Sequence, residues 1–135
     1  MEGKCLCGEI TFSADPKSLN VTACHCSICR KQSGGISLSI EVEPKSLIIQ
    51  NIAMLTVFNS SEWAHRGFCK GCGTFIFWQK KDCSYCNVNC NLLEMNHNQL
   101  TLDTEVFIEE KPSYYSFANT TIKLTQEDLF TQHTV

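Results

Sequence analysis

The chain has 135 residues, 43% of them hydrophobic, and a net charge of -3 from 14 acidic and 11 basic side chains. That length and apolar content suit one domain over residues 1–135 with its own core, and the mixed charges lack the basic stripe by which proteins track phosphate backbones, so nucleic acid is not an expected partner. No apolar run is long enough to span a bilayer and Met1-Glu2-Gly3-Lys4-Cys5 lacks the apolar centre of a secretion signal, so a cytoplasmic protein without a membrane partner is expected.

In chain order, Cys5-Leu6-Cys7-Gly8 comes first, and Ile10-Thr11-Phe12-Ser13-Ala14 then alternates apolar with polar as a half-buried strand does. Asp15-Pro16-Lys17-Ser18 reads as a turn. Leu19, Val21 and Ala23 alternate again and run into Cys24, which predicts that the two strands form one antiparallel pair with the first two cysteine groups close together. Cys24-His25-Cys26-Ser27-Ile28-Cys29 then places three thiols within one short stretch. Arg30-Lys31-Gln32-Ser33 has room for a helical turn before Gly34-Gly35 ends it, and Ile36, Leu38 and Ile40 restart a strand pattern.

Glu43-Pro44-Lys45 turns the chain, and residues 46–50 and 54–58 read as two further strands. Cys69-Lys70-Gly71-Cys72-Gly73 has the form of a zinc knuckle, in which the glycine permits the left-handed backbone that turns amide groups toward sulfur. Residues 75–78 are apolar on both faces, as in a strand covered on both sides. Over residues 85–93, Cys86, Val88, Cys90 and Leu92 share one face and Asn87, Asn89 and Asn91 the other, so Cys86 and Cys90 read as core thiols. Val106 and Ile108 mark one more strand, and Thr125-Gln126-Glu127-Asp128 has the form of the start of a short helix. Many short strands and no long amphipathic helix predict an all-β fold.

Ten cysteines require a reason. In a cytosolic chain, close spacings point to metal or catalysis before disulfides. Cys5 and Cys7 offer two ligands and Cys69 and Cys72 two more, which together complete a closed four-thiolate site; the competing reading is that one pair is simply buried. Cys24, Cys26 and Cys29 offer three ligands and leave the fourth position to His25, Cys83, His65, His97, water or a small thiol. His25 points away from its flanking cysteines in extended chain, His65 sits in a polar stretch that is usually solvated, and Cys83-x-x-Cys86 has chelating spacing although burial also explains Cys86. An open three-thiolate zinc site is a weak generator of hydroxide but a good receiver of an incoming thiol, so the chemistry it fits is thiol attack on a small electrophile such as a carbonyl.

Cys5-Leu6-Cys7-Gly8, Cys24-His25-Cys26-Ser27-Ile28-Cys29-Arg30, Ser60-Ser61 and Arg66-Gly67-Phe68-Cys69-Lys70-Gly71-Cys72-Gly73-Thr74, in this order, resemble the glutathione-dependent formaldehyde-activating enzyme family, which includes the centromere protein V group. Weaker likeness runs on to about residue 117. The resemblance implies a β-tent fold of mainly antiparallel sheets and two Zn2+ ions per chain: a structural one on Cys5, Cys7, Cys69 and Cys72, and a catalytic one on Cys24, Cys26 and Cys29. It also implies carbon-sulfur lyase activity, the reversible condensation of glutathione with formaldehyde to S-hydroxymethylglutathione. The alternatives weighed are a non-enzymatic zinc module that binds a protein partner, whose second zinc a side chain would close, and metal handling or redox sensing by the surplus cysteines. The chain departs from the family pattern at Glu105, where a histidine is typical, in lacking a tryptophan near Tyr115, and in the cysteines at 83, 86 and 90. The segment from Thr120 onward has no counterpart in the resemblance.

Overall fold

Alternation over residues 10–14 buries Ile10, Phe12 and Ala14, and in the computed structural model, which describes residues 1–133, it produces strand β2 (Thr11–Ser13). Its antiparallel neighbour is β1 (Glu2–Lys4), with Gly3 opposite Phe12. A Cβ on Gly3 would sit 2.3 Å from the Phe12 ring, so only glycine lets the ring cross the neighbouring backbone. The short β5 (Ile48–Ile49) pairs with the other edge of β2 and completes a three-stranded sheet.

The second sheet has eight strands: β3 (Asn20–Cys24), β4 (Ser37–Val42), β6 (Leu55–Phe58), β7 (Ala64–Cys69), β8 (Phe75–Lys80), β9 (Cys86–Asn89), β10 (Thr101–Val106) and β11 (Ile122–Leu124). Across the sheet their order is β11-β10-β3-β4-β9-β8-β7-β6. All neighbours are antiparallel except β10, which runs parallel to both β3 and β11. Side chains of both sheets, among them Ile10, Phe12, Val21, Ile40, Val42, Ile76, Phe77 and Val88, form one buried cluster. The protein is thus mostly β, with antiparallel and mixed sheets in the expected β-tent manner. Two short helices complete it, α1 (Ser27–Ser33) and α2 (Gln126–His133).

The fold corrects several local expectations. β2 and β3 do not pair; they lie in different sheets. The reason lies between them, where Pro16 bridges to Val42, Lys17 N–H donates to Glu41 O and Glu43 N–H to Asp15 O, so the connection is a crossing held by β4 and its following turn rather than a hairpin. α1 begins at Ser27 instead of Arg30, because Cys26 caps it by accepting the Cys29 N–H at 3.3 Å; it ends at Gly34 as expected, with φ 71°. The strand read over residues 85–93 stops at Asn89, whose side chain accepts the Asn91 N–H and turns residues 90–92 into a 3-10 turn. Ile108 likewise lies in a 3-10 turn (Ile108–Glu110) after Phe107, a non-glycine residue at φ 53°.

Candidate metal centres

Two knuckles of the same design meet at the first cluster. In each, the leading cysteine N–H donates to a carbonyl beyond the turn (Cys5 to Ile10, Cys69 to Thr74), and a glycine in the left-handed region, Gly8 at φ 79° or Gly73 at φ 77°, closes the loop back onto that cysteine's carbonyl. The Thr74 hydroxyl stitches the two turns together: it lies 3.1 Å from Cys72 Sγ and accepts the Leu6 N–H at 3.1 Å. Contact with that hydroxyl, and then with the Thr74 and Cys7 amides, brings the Cys72 thiol down to about 5.

The sulfurs of Cys5, Cys7, Cys69 and Cys72 all lie within 4.8 Å of one another. Cys5–Cys7 is 3.6 Å and Cys7–Cys69 3.7 Å, close to the edge of about 3.8 Å that a tetrahedron of sulfurs at a zinc–sulfur distance of about 2.3 Å requires. All ten cysteines are free thiols. The donor set therefore fits zinc in chemistry and in spacing.

The second cluster follows from the junction of β3 with α1. Cys24 ends the strand, Cys26 caps the helix and Cys29 lies in its first turn, so a change of backbone direction gathers three sulfurs within 4.8 Å. Among the described residues, no His, Cys, Asp or Glu joins them as a fourth ligand. Arg66, 3% exposed on β7, donates through Nη2 to Cys29 Sγ at 3.3 Å and through Nη1 to Gln32 at 3.0 Å. The Cys29 thiol is held low, first by hydrogen bonds with Cys24 and Cys26 and then by the Arg66 guanidinium, which together outweigh burial. Cys24 is pushed up by the same sharing. A cation beside the cluster also opposes the negative charge that three thiolates would leave on a zinc complex.

His25 points away from its flanking cysteines, as extended backbone predicts. It is 0% exposed and faces away from the sulfurs, with Nε2 2.8 Å from Glu105 Oε1 and Nδ1 2.7 Å from the Tyr115 hydroxyl. Burial raises the Glu105 carboxyl, but hydrogen bonds with Thr121 and His25 and the charges of His25 and Lys123 prevail and hold it below the usual carboxylate range. An ionised carboxylate only accepts, so Nε2 carries a proton. The backbone is tied as well: His25 N–H donates to Val106 O at 3.1 Å, and Arg30 Nε donates to His25 O at 3.0 Å. The loop between Cys24 and Cys26 is thus fixed from behind to β10 and the segment after it.

A cavity of about 420 Å3 includes Cys24, Cys26 and Cys29 in its lining. Much of the remaining wall is Trp63, Trp78, Tyr85, Phe107, Leu129 and Phe130, with Arg66, Lys80 and Glu110 as its charged members. Trp63 and Trp78 meet edge to face at 5.5 Å, as do Trp78 and Tyr85 at 5.6 Å. Glu110 accepts the Ser27 N–H at the start of α1, and Glu109 accepts the Gln126 N–H at 3.0 Å, which seats the start of α2 beside the turn that follows β10.

The structure thus brings together all seven expected cysteines in the two expected groups. Cys86 and Cys90 are buried, their thiols pushed up by burial to about 12 and about 11, and Cys83 is exposed at φ 61°; among the described residues, none of the three joins a metal-binding group. His65 pairs with Gln79 and His97 with Leu93 O, away from the clusters. The His25–Glu105 pair and the aromatic wall were not anticipated. Glu105 was visible as a departure from the family pattern and His25 as a residue framed by ligands, but their contact spans 80 positions. Among the described residues, no helix is long and apolar enough to cross a membrane.

Comparison with known proteins adds four findings. The sequence profile of the glutathione-dependent formaldehyde-activating enzyme family matches residues 1–110. The chain is 31% identical over 134 residues to an uncharacterized lyase of Schizosaccharomyces pombe, covering 95% of this chain and 93% of that protein. A putative glutathione-dependent formaldehyde-activating enzyme of Halomonas elongata is 25% identical over 85 residues, covering 57% of this chain and 54% of that one. The crystal structure of a Rhodobacter sphaeroides protein shares the fold, with a TM-score of 0.63 at 23% identity over 73% of this chain and 93% of its own.

Proposed function

The chain belongs to the glutathione-dependent formaldehyde-activating enzyme family, and from that premise we propose that it is a zinc-dependent carbon-sulfur lyase joining a small thiol, glutathione or a similar one, to formaldehyde or a related small aldehyde. At family level it is a glutathione-related lyase. The observation that carries the finer reading is the three-sulfur group of Cys24, Cys26 and Cys29 in the lining of a cavity, without a fourth protein ligand among the described residues. A protein-binding module would be expected to close that position with a side chain.

In this reading Cys5, Cys7, Cys69 and Cys72 hold a structural ion, and Cys24, Cys26 and Cys29 hold the catalytic one. A zinc ion there supplies a soft Lewis acid that favours the thiolate form of a thiol substrate. The chain's own groups do the rest. Arg66 places a fixed cation beside Cys29 and against the charge that moves from sulfur to oxygen as the new bond forms. His25, clamped by Glu105 and Tyr115, keeps Cys24 and Cys26 in place without touching substrate. Bond making is balanced: sulfur joins the carbonyl carbon, the carbon–oxygen π bond opens, and the thiol proton ends on oxygen.

The test is formaldehyde consumption by zinc-loaded protein with and without glutathione. Consumption that depends on both thiol and protein, and falls at least about a hundredfold in Cys26→Ser, is expected. Equal rates with and without protein would remove the lyase assignment.

A further inference from the structure

The cavity beside Cys24, Cys26 and Cys29 is far larger than formaldehyde needs, and it offers more aromatic surface than glutathione alone would use. About 420 Å3 lies in the range of a drug-sized ligand site. Glutathione's charged ends call for several opposite charges, yet of the three charged lining residues Arg66 is engaged by Cys29 and Gln32, and Glu110 by the Ser27 N–H. Lys80, 5.9 Å from the Trp63 ring, is the remaining cation in the lining. Hydroxyl and amide side chains, among them Ser60, Ser61 and Asn87, also reach the lining, but its aromatic and aliphatic members, led by Trp63, Trp78, Tyr85 and Phe107, give it most of its apolar surface.

Three lining residues, Trp63 at 51%, Phe130 at 50% and Ile28 at 47%, also expose much of their apolar surface, so the apolar character continues outward from the cavity. Phe107 reaches the lining from a left-handed backbone at φ 53°, a conformation that a bulky residue keeps only when its surroundings enforce it. Leu129 and Phe130 come from α2, which lies beyond the region matched to the family. One wall of the cavity is therefore built from outside the span matched to the family.

We propose that the carbonyl partner is an aldehyde bearing an aromatic ring or a branched apolar chain, and that Trp63, Trp78 and Phe130 select it. This rests on the reading of Cys24, Cys26 and Cys29 as the reaction centre. Edge-to-face tryptophans offer ring faces on which a planar group stacks, while Lys80 and the lining hydroxyls remain for the polar ends of the thiol. The chemistry is the same addition of sulfur to a carbonyl carbon, with the proton passing to oxygen and no oxidant or reductant required.

The experiment pairs turnover with binding on the zinc-loaded full chain. Turnover is followed with glutathione held fixed and formaldehyde, propanal or phenylacetaldehyde as the carbonyl compound. Binding is followed by quenching of the chain's two tryptophans, both in the cavity lining, using the unreactive thioethers S-methylglutathione and S-(2-phenylethyl)glutathione. A kcat/KM at least about tenfold higher for phenylacetaldehyde than for formaldehyde, and a comparable preference for the phenylethyl thioether, are expected. Phe130→Ala and Trp63→Ala, both at half-exposed positions and hence safe for folding, should each cut these preferences severalfold. Formaldehyde turnover with no preference for the ring in either assay overturns the aldehyde assignment and leaves the lyase standing. Ring-selective binding with no aldehyde consumed supports the cavity's chemistry and removes the lyase beneath it.

Discussion

Glu105 shows how far one side chain can reach behind a reactive cluster. Its carboxylate is 2% exposed, and it holds His25 on one oxygen and Thr121 on the other. Replacing it with glutamine removes charge-assisted bonds and should cost about 1.5–3 kcal/mol near neutral pH. The sign of the pH dependence follows from a folded-state value below the unfolded one. The stabilisation is complete above the usual carboxylate range and is lost as pH falls through the depressed folded value. Urea midpoints of the parent and Glu105→Gln should therefore differ most at neutral pH and converge in acid. An offset that stays constant down to the acid limit would mean that the glutamine disturbs packing rather than charge. Lys123, about half exposed at 3.6 Å, contributes little to the difference. At this scale the cysteines were legible in the sequence because chelating spacing is local. His25 was not, because its partners lie far along the chain.

Among the elements, the β7–β8 hairpin and α2 make the clearest predictions. Gly67 lies opposite Phe77 in register, and a Cβ there would meet the ring at 2.1 Å. Gly67→Ala should destabilise by about 1–3 kcal/mol, read as a fall in urea midpoint with an unchanged slope. α2 starts with a reciprocal cap: Thr125 Oγ1 accepts the Asp128 N–H at 3.1 Å, and Asp128 Oδ2 accepts the Thr125 N–H at 2.8 Å. Thr125→Ala should loosen this helix by about 1 kcal/mol, seen as faster amide exchange in α2 with little change in β3 or β4. The start of α2 was readable because Thr-x-x-Asp is a local signal. The start of α1 was not, because its cap is a cysteine sulfur, a weak acceptor rarely counted among caps. Strand existence followed from alternation. Strand ends at Asn89 and Phe107 depended on a side-chain hydrogen bond and a left-handed residue that alternation does not reveal.

For the molecule as a whole, the two cysteine groups should respond differently to loss of a ligand. Cys69→Ser strikes the junction of two knuckles from distant parts of the chain, where, with the proposed structural ion bound, metal affinity would act as folding free energy. It should lower both the zinc count and the thermal midpoint, whereas Cys26→Ser should lower the zinc count and abolish turnover with a smaller change in midpoint. Metal analysis alongside calorimetry checks the pair, and equal midpoints in the two variants would count against separate structural and catalytic roles. Sheet order was the least legible property. The turn residues after Ala14 suggest a hairpin, and only the bridge from Pro16 to Val42 and the backbone bonds of Asp15 and Lys17 send β2 and β3 to different sheets.

The parallel seating of β10 against β3 also sets an order of events during synthesis. Every sulfur of the four-cysteine knuckle pair has been translated once residue 72 is made, so the first group is complete in sequence, and emerges from the ribosome, before the C-terminal part of the chain. Residues 101–106, which flank β3 and carry the carboxylate that clamps His25, arrive much later. The nascent chain is therefore expected to complete its four-cysteine group before the loop at Cys24 to Cys29 is clamped, and a chain ending before residue 101, released from the ribosome, should hold zinc more firmly at the first group than at the second.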